Sequence, residues 1–246
     1  VAVLSTDVRG MAICAVHLVY PLVSLMSSAI EKANEIISSV RKKTNRAILF
    51  FSAGKDSIAL LDLMHPHFDE IICVFMYFVR DLEHIDNYLN WAKAKYPKIK
   101  IVQVPHWNLT YILKSGMFCT PHPNIKLMKL ADIDHSIKLK SGCNYSFFGM
   151  KKADSLNRRL MLNTYENGIN NGKVYPLQDW TNKDVLSYMK IKKLPQPVRY
   201  SNKASGGVGF NIECFLFLRE KYPNDLKKIL NAFPMSEKIL WDYDNK

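Results

Sequence analysis

The chain has 246 residues, an ordinary globular composition and a formal net charge of +12 at neutral pH. The charge favours an anionic partner, nucleotide or nucleic acid, although the lysines are spread along the chain and form no basic tail. The cysteines, five in all and without a C-x-x-C pair, argue against a disulfide framework and against an iron–sulfur site built from paired motifs.

Residues 11–26 (MAICAVHLVYPLVSLM) are the most apolar stretch. The run is shorter than a spanning helix needs, and His17 and Pro21 interrupt it. It reads either as an N-terminal extension packed on the domain that follows or as upstream sequence that the core does not need, with no membrane role. Ser27 or Ser28 then suits the cap of a helix running to about Val40.

Ala47–Phe51 is short, apolar and rich in β-formers, which predicts a buried strand. Ile58–Met64 suits a buried helix. Between them lies the polar turn Ser52-Ala53-Gly54-Lys55-Asp56-Ser57. A strand, a tight polar turn and a helix make half of a βαβ unit. The helix N-terminus presents unpaired N–H groups and the positive end of its dipole, so it attracts phosphate. Gly54 is expected to let the chain turn, and Ser52, Lys55 and Ser57 supply donors. The turn is too short for the common P-loop, whose spacing is G-x-x-x-x-G-K-[ST]. An ordinary serine-capped βα turn is the alternative.

Further along, Glu70–Tyr77 predicts a second strand and Asp81–Lys95 a helix ended by Pro97. Lys98–Val104 predicts a third strand and Trp107–Lys114 a short helix. Residues 116–124 form a loop. Ile125–Lys140 is helical with Gly142 as its C-cap. Cys143–Met150 is a fourth strand, and Ala153–Leu162 a helix. Residues 167–173 are read as a turn and Val174–Leu177 as an edge strand. Thr181 caps a helix to about Lys190. Residues 195–210 are a long loop, and the remainder is helical with breaks at Pro223 and Pro234. Cys119, His122 and Cys143 offer only a thin zinc pattern. Strands alternating with helices imply a Rossmann-like parallel α/β sheet with helices on both faces. Ligands in such sheets bind beyond the C-terminal strand ends. The turn at 52–57, Tyr77–Glu83 and Gly149–Arg159 all follow strand ends, so three polar segments converge on one crevice.

The turn at 52–57 resembles the PP-loop of the adenine-nucleotide α-hydrolase superfamily, usually Ser-Gly-Gly-x-Asp-Ser. Lysine at the fourth place is similar to the phosphoadenosine phosphosulfate (PAPS) reductase branch. Gly149-Met150-Lys151-Lys152-Ala153-Asp154-Ser155-Leu156-Asn157-Arg158-Arg159 resembles that branch's glycine, basic and acid-serine motif. Tyr175-Pro176-Leu177-Gln178-Asp179-Trp180-Thr181, with Asp184-Val185, Leu194-Pro195 and Tyr200, resembles its Pro-Leu-x-Asp-Trp-Thr segment. The resemblance covers roughly residues 40–220. It implies residues 26–200 as a PP-loop nucleotide-binding domain, residues 1–25 as an extension and residues 201–246 as a Gly-rich loop with a helical C-terminal segment.

The resemblance implies an adenine nucleotide, PAPS or ATP, with Mg²⁺ accompanying ATP. Ser52, Ala53, Gly54, Lys55, Asp56 and Ser57 would hold the anionic groups, helped by Gly149, Lys151, Lys152, Asp154, Ser155, Arg158 and Arg159. One of the two arginines is expected on a solvated face. Tyr77 to Glu83 would line the nucleoside side. Lys55, Asp56 and Cys214 are the catalytic candidates. Trp180 is expected in the core, and Asp184 in support of its helix. Two departures stand out. Ala53 replaces a glycine, which is tolerable only if that residue avoids positive φ. Glu213-Cys214 survives of the reductases' Glu-Cys-Gly-Leu/Ile-His segment, but its glycine and histidine do not. Cys214 sits near a predicted helix start, where the dipole would favour thiolate; a small buried apolar residue is the alternative. Three functions remain open: sulfonucleotide reduction or sulfur transfer, adenylylation by an ATP pyrophosphatase, and a non-catalytic nucleotide- or nucleic-acid-binding module. Related DNA-phosphorothioation and tRNA-thiolation enzymes suit a nucleic-acid partner. A thiol reductant protein and a homodimer are the other partners admitted, in a cytoplasmic setting.

Overall fold

The computed structural model describes residues 28–197, residue 200 and residues 209–245. The N-terminal extension and most of the Gly-rich loop therefore lie outside the described residues. Residues 28–41 form a helix, α1. It is followed by β1 (Arg46–Phe50), α2 (Lys55–Met64), β2 (Glu70–Tyr77), α3 (Glu83–Lys95), β3 (Ile99–Pro105), α4 (Leu109–Ser115), α5 (Leu130–Ser141) and β4 (Ser146–Phe147). Then come a 3₁₀ turn (Lys152–Asp154), α6 (Leu156–Asn163), β5 (Ile169–Asn170), β6 (Lys173–Val174) and α7 (Asn182–Ile191). The C-terminal segment is α8 (Ile212–Lys221), α9 (Pro223–Ala232), a second 3₁₀ turn (Pro234–Glu237) and α10 (Lys238–Asp244).

The sheet order is β3-β2-β1-β4-β6-β5. Every pairing is parallel except β5 with β6. The chain reverses its direction of travel across the sheet between β1 and β4, which makes the crevice above these strands a switch point.

Side-chain alternation explains why both faces are covered. Ala47, Leu49, Ile71, Cys73 and Phe75 point to one face, where they join α1, α2, α3 and α7. Ile48, Phe50, Ile72 and Val74 point to the other, against α5 and α6. A strand buried on both faces has to be apolar at nearly every position, which is what β1 and β2 show. Polar ties fix the helices. Asp62 of α2 accepts the hydroxyls of Tyr96 and Tyr188, each at 2.7 Å. Trp180 is buried, as expected, and its indole N–H donates to the Ala29 carbonyl of α1 at 3.1 Å.

Two expectations change. Residues 167–173 hold a strand between two tight turns. Asn167, Gly168, Asn171 and Gly172 all take positive φ, and Asn171-Gly172 is the turn sequence that matches strand twist in a two-residue hairpin. The strand at Val174 is consequently not an edge: β6 pairs on both sides and β5 is the edge. The remaining differences are boundaries. β4 has only two residues, and α2 begins at Lys55, three residues before the apolar run.

The C-terminal helices cover the strand-end side. Leu82 lies in one buried cluster with Cys214, Phe215, Leu218, Leu226 and Ile229. Phe233 shares another with Ile112 and Cys119. Asp225 is fully buried and accepts the backbone N–H groups of Glu83 (2.8 Å) and His84 (3.0 Å) at the start of α3. It also contacts His84 Nδ1 at 2.6 Å, and His84 Nε2 lies 3.0 Å from the Tyr200 hydroxyl. Among the described residues no helix is long and apolar enough to cross a membrane.

Candidate nucleotide site

The loop at 52–57 is closed by its own serines. Ser57 Oγ donates to the Gly54 carbonyl (2.9 Å) and accepts the Ser52 N–H (3.2 Å). The two hydroxyl oxygens lie 3.3 Å apart. The tight bend falls at Ala53, with φ +56°, and not at Gly54, which is extended at φ −84°. An alanine thus occupies the left-handed conformation that favours glycine, at a cost of about 1–2 kcal/mol. Gly54 matters for space: a Cβ there would lie 3.2 Å from Ser52 Oγ. Lys55, Asp56 and Ser57 form the first turn of α2, so the loop ends on a helix N-terminus as the strand–turn–helix pattern predicts.

Gly149 brings the segment after β4 against this loop. A Cβ at Gly149 would lie 3.1 Å from Asp56 Cβ and 3.3 Å from the Ser57 nitrogen. The approach delivers Lys151, fully buried, to the loop. Its ammonium bonds Asp56 (2.5 Å) and Asp154 (2.9 Å). Lys55 pairs with the other oxygen of Asp56 at 2.7 Å, and Arg158 with Asp154 at 2.6 Å. Burial would push the Asp154 carboxyl up, but hydrogen bonds from Lys151, its charge and a hydrogen bond from Arg158 hold it below the ordinary value. Three cations and two carboxylates make a net positive cluster at the head of α2. Such a cluster suits a multiply charged anion.

Beside the loop, beyond the ends of β1, β2 and β3, lies a cavity of about 220 Å³. Ser52 belongs to both the loop and the cavity wall. Phe51, Phe75, Tyr77 and Phe78 give the cavity an apolar lining, and Gly209 and Phe210 contribute from the C-terminal segment. Among the described residues the polar lining adds Gln103, His106, Asp81 and Asp86 to Ser52, without a lysine or arginine. Burial pushes the Asp86 carboxyl up, reinforced by the charge of Asp81. Burial lowers the pKa of His106, which keeps that ring neutral at neutral pH.

The structure therefore brings together Ser52, Ala53, Gly54, Lys55, Asp56, Ser57, Gly149, Lys151, Asp154 and Arg158. It sorts the others differently. Lys152 turns away to Asp179 (2.7 Å). Ser155 caps α6, accepting the Arg158 N–H. Arg158 and Arg159 are both exposed, and of the two Arg158 is the one that pairs with Asp154. Of the 77–83 segment, Tyr77 and Asp81 line the cavity, while the Glu83 side chain is exposed and does not. Cys214 is fully buried among the C-terminal helices and does not line the cavity. Burial pushes its thiol up, opposite to the lowering expected from a helix start. Asp184 completes the capping box with Thr181, as expected. Cys119 and Cys143 fall in separate apolar clusters.

The sequence reading missed Asp86, Gln103 and His106. His106 was the most findable, since it directly follows the third strand and so sits at a strand end.

The model of the phosphoadenosine phosphosulfate reductase domain matches residues 46–202 of this chain. No curated protein matches by sequence search. Three solved structures are similar at low identity. A PAPS reductase from Candida auris is 12% identical, with a TM-score of 0.45, over 67% of this chain and 81% of that one. A tRNA thiolase from Methanococcus maripaludis is 14% identical, TM-score 0.44, over 87% and 80%. An ammonia-dependent NAD synthetase from Campylobacter jejuni is 14% identical, TM-score 0.47, over 88% and 93%.

Proposed function

Because the chain belongs to the phosphoadenosine phosphosulfate reductase domain family, we propose that it is an enzyme acting on an adenine nucleotide held by the PP-loop, with ATP as the nucleotide. The anionic tail sits on the head of α2 beside Lys55 and the loop N–H groups, with the buried Lys151 behind Asp56. The nucleoside occupies the adjoining apolar cavity. The observation that carries this reading is the position of Ser52, shared by the anion-binding loop and the cavity wall. One ligand with an apolar planar end and a multiply charged end fits both.

Two features favour ATP over PAPS. Among the described residues the cavity carries Asp81 and Asp86 and no lysine or arginine. Carboxylates accept hydrogen bonds from ribose hydroxyls but repel a 3′-phosphate. In addition, no cysteine lines the cavity among the described residues, and the family match ends at residue 202, before Cys214. The chemistry supported is attack by an acceptor oxygen on the α-phosphorus. The bond to the bridging oxygen of the leaving group breaks, pyrophosphate departs and the acceptor is left adenylylated. Lys55, Lys151 and the helix N-terminus stabilise the charge that builds on the phosphate oxygens. Among the described residues no group of three His, Cys, Asp or Glu is placed to hold a metal. Mg²⁺ would therefore be held chiefly by the phosphates, with Asp56 as the protein carboxylate in reach, and its contribution is to screen phosphate charge.

The second reading is sulfonucleotide reduction, favoured by the family match itself. Calorimetry separates the two. The expected result is that ATP binds more tightly than PAPS, that Lys55→Ala weakens ATP at least about tenfold, and that Asp86→Asn narrows the gap. Tighter binding of PAPS, with turnover abolished in Cys214→Ser, would replace the ATP reading by the reductase one. Absence of binding to either would remove both.

A further inference from the structure

The connection from β3 to α5 leaves the sheet at the cavity and carries a surface of unusual character. From Asn87 to Ala131 the sequence holds seven lysines and no aspartate or glutamate. Three of these lysines, Lys114, Lys126 and Lys129, lie exposed on this connection. Trp107 and Tyr111, four residues apart at the start of α4, are 38% and 51% exposed. The Met128 N–H donates to Thr110 Oγ1 at 3.0 Å, which lays residues 126–129 alongside α4. Leu127 and Met128 are exposed there as well. The nearest carboxylate in sequence, Asp132, is engaged with the Lys129 N–H at 2.7 Å.

Rings connect this surface to the cavity. Phe78 and His106, both in the cavity wall, stack at 4.5 Å. His106 in turn faces Trp107 at 5.4 Å. An aromatic ladder thus runs from the nucleotide cavity to an exposed indole, flanked by Lys114, Lys126 and Lys129 with Asp132 as the carboxylate closest to them in sequence.

We propose that the α4 surface of Trp107, Tyr111, Lys114, Lys126 and Lys129 docks single-stranded nucleic acid, whose bases stack on the exposed rings while its phosphates meet the lysines. Stacking platforms with interleaved cations bind single strands with little sequence preference. A duplex keeps its bases stacked inside and cannot use the rings. An acidic protein would use the lysines but gains little from unpaired aromatic faces. The assignment names the acceptor class for adenylylation and rests on the ATP reading for that role alone; strand binding itself does not.

The test is fluorescence anisotropy with labelled RNA and DNA single strands of about 15 nucleotides, matched to the usual single-strand site size, with the duplex for comparison, each with and without ATP. Single strands are expected to bind at least tenfold tighter than the duplex. Trp107→Ala is expected to cost about tenfold. The double variant Lys126→Ala/Lys129→Ala should reduce the log–log salt slope by about 1.4. All positions are exposed, and unchanged ATP affinity reports that the variants are folded. Equal binding of duplex and single strand, or indifference to Trp107, would overturn the proposal, as would capture of an acidic protein with no strand binding. Loss of ATP binding with strand binding intact would count against the ATP reading and leave the surface assignment standing.

Discussion

Ala53 is the residue at which this chain departs most clearly from its family's loop. It sits at φ +56° and is almost fully buried. The left-handed conformation costs an alanine about 1–2 kcal/mol, while its methyl group recovers up to about 0.8 kcal/mol by burial. Conformation outweighs burial, so Ala53→Gly should stabilise the fold by about 0.5–1 kcal/mol, read from urea unfolding midpoints at constant m-value. A loss of stability would mean that packing against the core cluster dominates. Lys151 shows the opposite case. It is a buried cation, fully paired by Asp56 and Asp154, and its neighbour Lys152 is a surface residue. The Lys-Lys dipeptide does not say which of the two goes inside. Gly149 decides it, because its close approach to Asp56 fixes the direction in which the chain leaves β4.

At the scale of elements, the attachment of the C-terminal helices depends on one side chain. Asp225 lies in the first turn of α9, yet it caps α3 through two backbone N–H groups and contacts His84. Asp225→Asn leaves one oxygen to serve those donors and places an amide against them. The expected cost is about 2–3 kcal/mol. Hydrogen exchange should quicken in α8, α9 and the first turn of α3 before it does in β1 and β2. Uniform acceleration across the sheet would show that these helices are not a separable unit. The hairpin of β5 and β6 rests similarly on Gly172, where a Cβ would fall 2.3 Å from the Asn144 carbonyl oxygen at φ +73°. The Asn-Gly pair was visible in the sequence as a turn. That it carries a strand on each side was not, because two-residue strands have too few positions to show a period.

For the whole molecule, the depressed carboxyls set an acid limit. Burial opposes ionisation at Asp154 and Asp225, but hydrogen bonds and nearby positive charge overcome it at both. A folded-state pKa below the unfolded value gives stability that is present above about pH 4 and lost as pH falls through and below it. Unfolding free energy should therefore drop as pH goes from 5 to 3, and the drop should shrink in Asp225→Asn. A pH-independent profile in that range would contradict the assignment. The net charge of +12 steepens acid unfolding as further carboxylates are neutralised.

The sequence by itself determined the parallel α/β sheet, the strand–turn–helix loop at 52–57 and the order of the segments packed around it. Apolar runs of strand length, helical spacing and strand-end polar residues are local signals, and local physics suffices to read them. Ser52 to Ser57 were legible for that reason, and so was Gly149 at a strand end, but which of Lys151 and Lys152 goes inside was not. Tertiary structure alone decided which charges meet, as Asp56, Lys151 and Asp154 do across 95 residues and within three. It also decided that Asp86 and His106 share a cavity, and that Cys214 is buried where a helix start promised an activated thiol. Burial depends on what other elements cover, and at Cys214 desolvation raises the thiol against the lowering by the Gly209 backbone hydrogen bond.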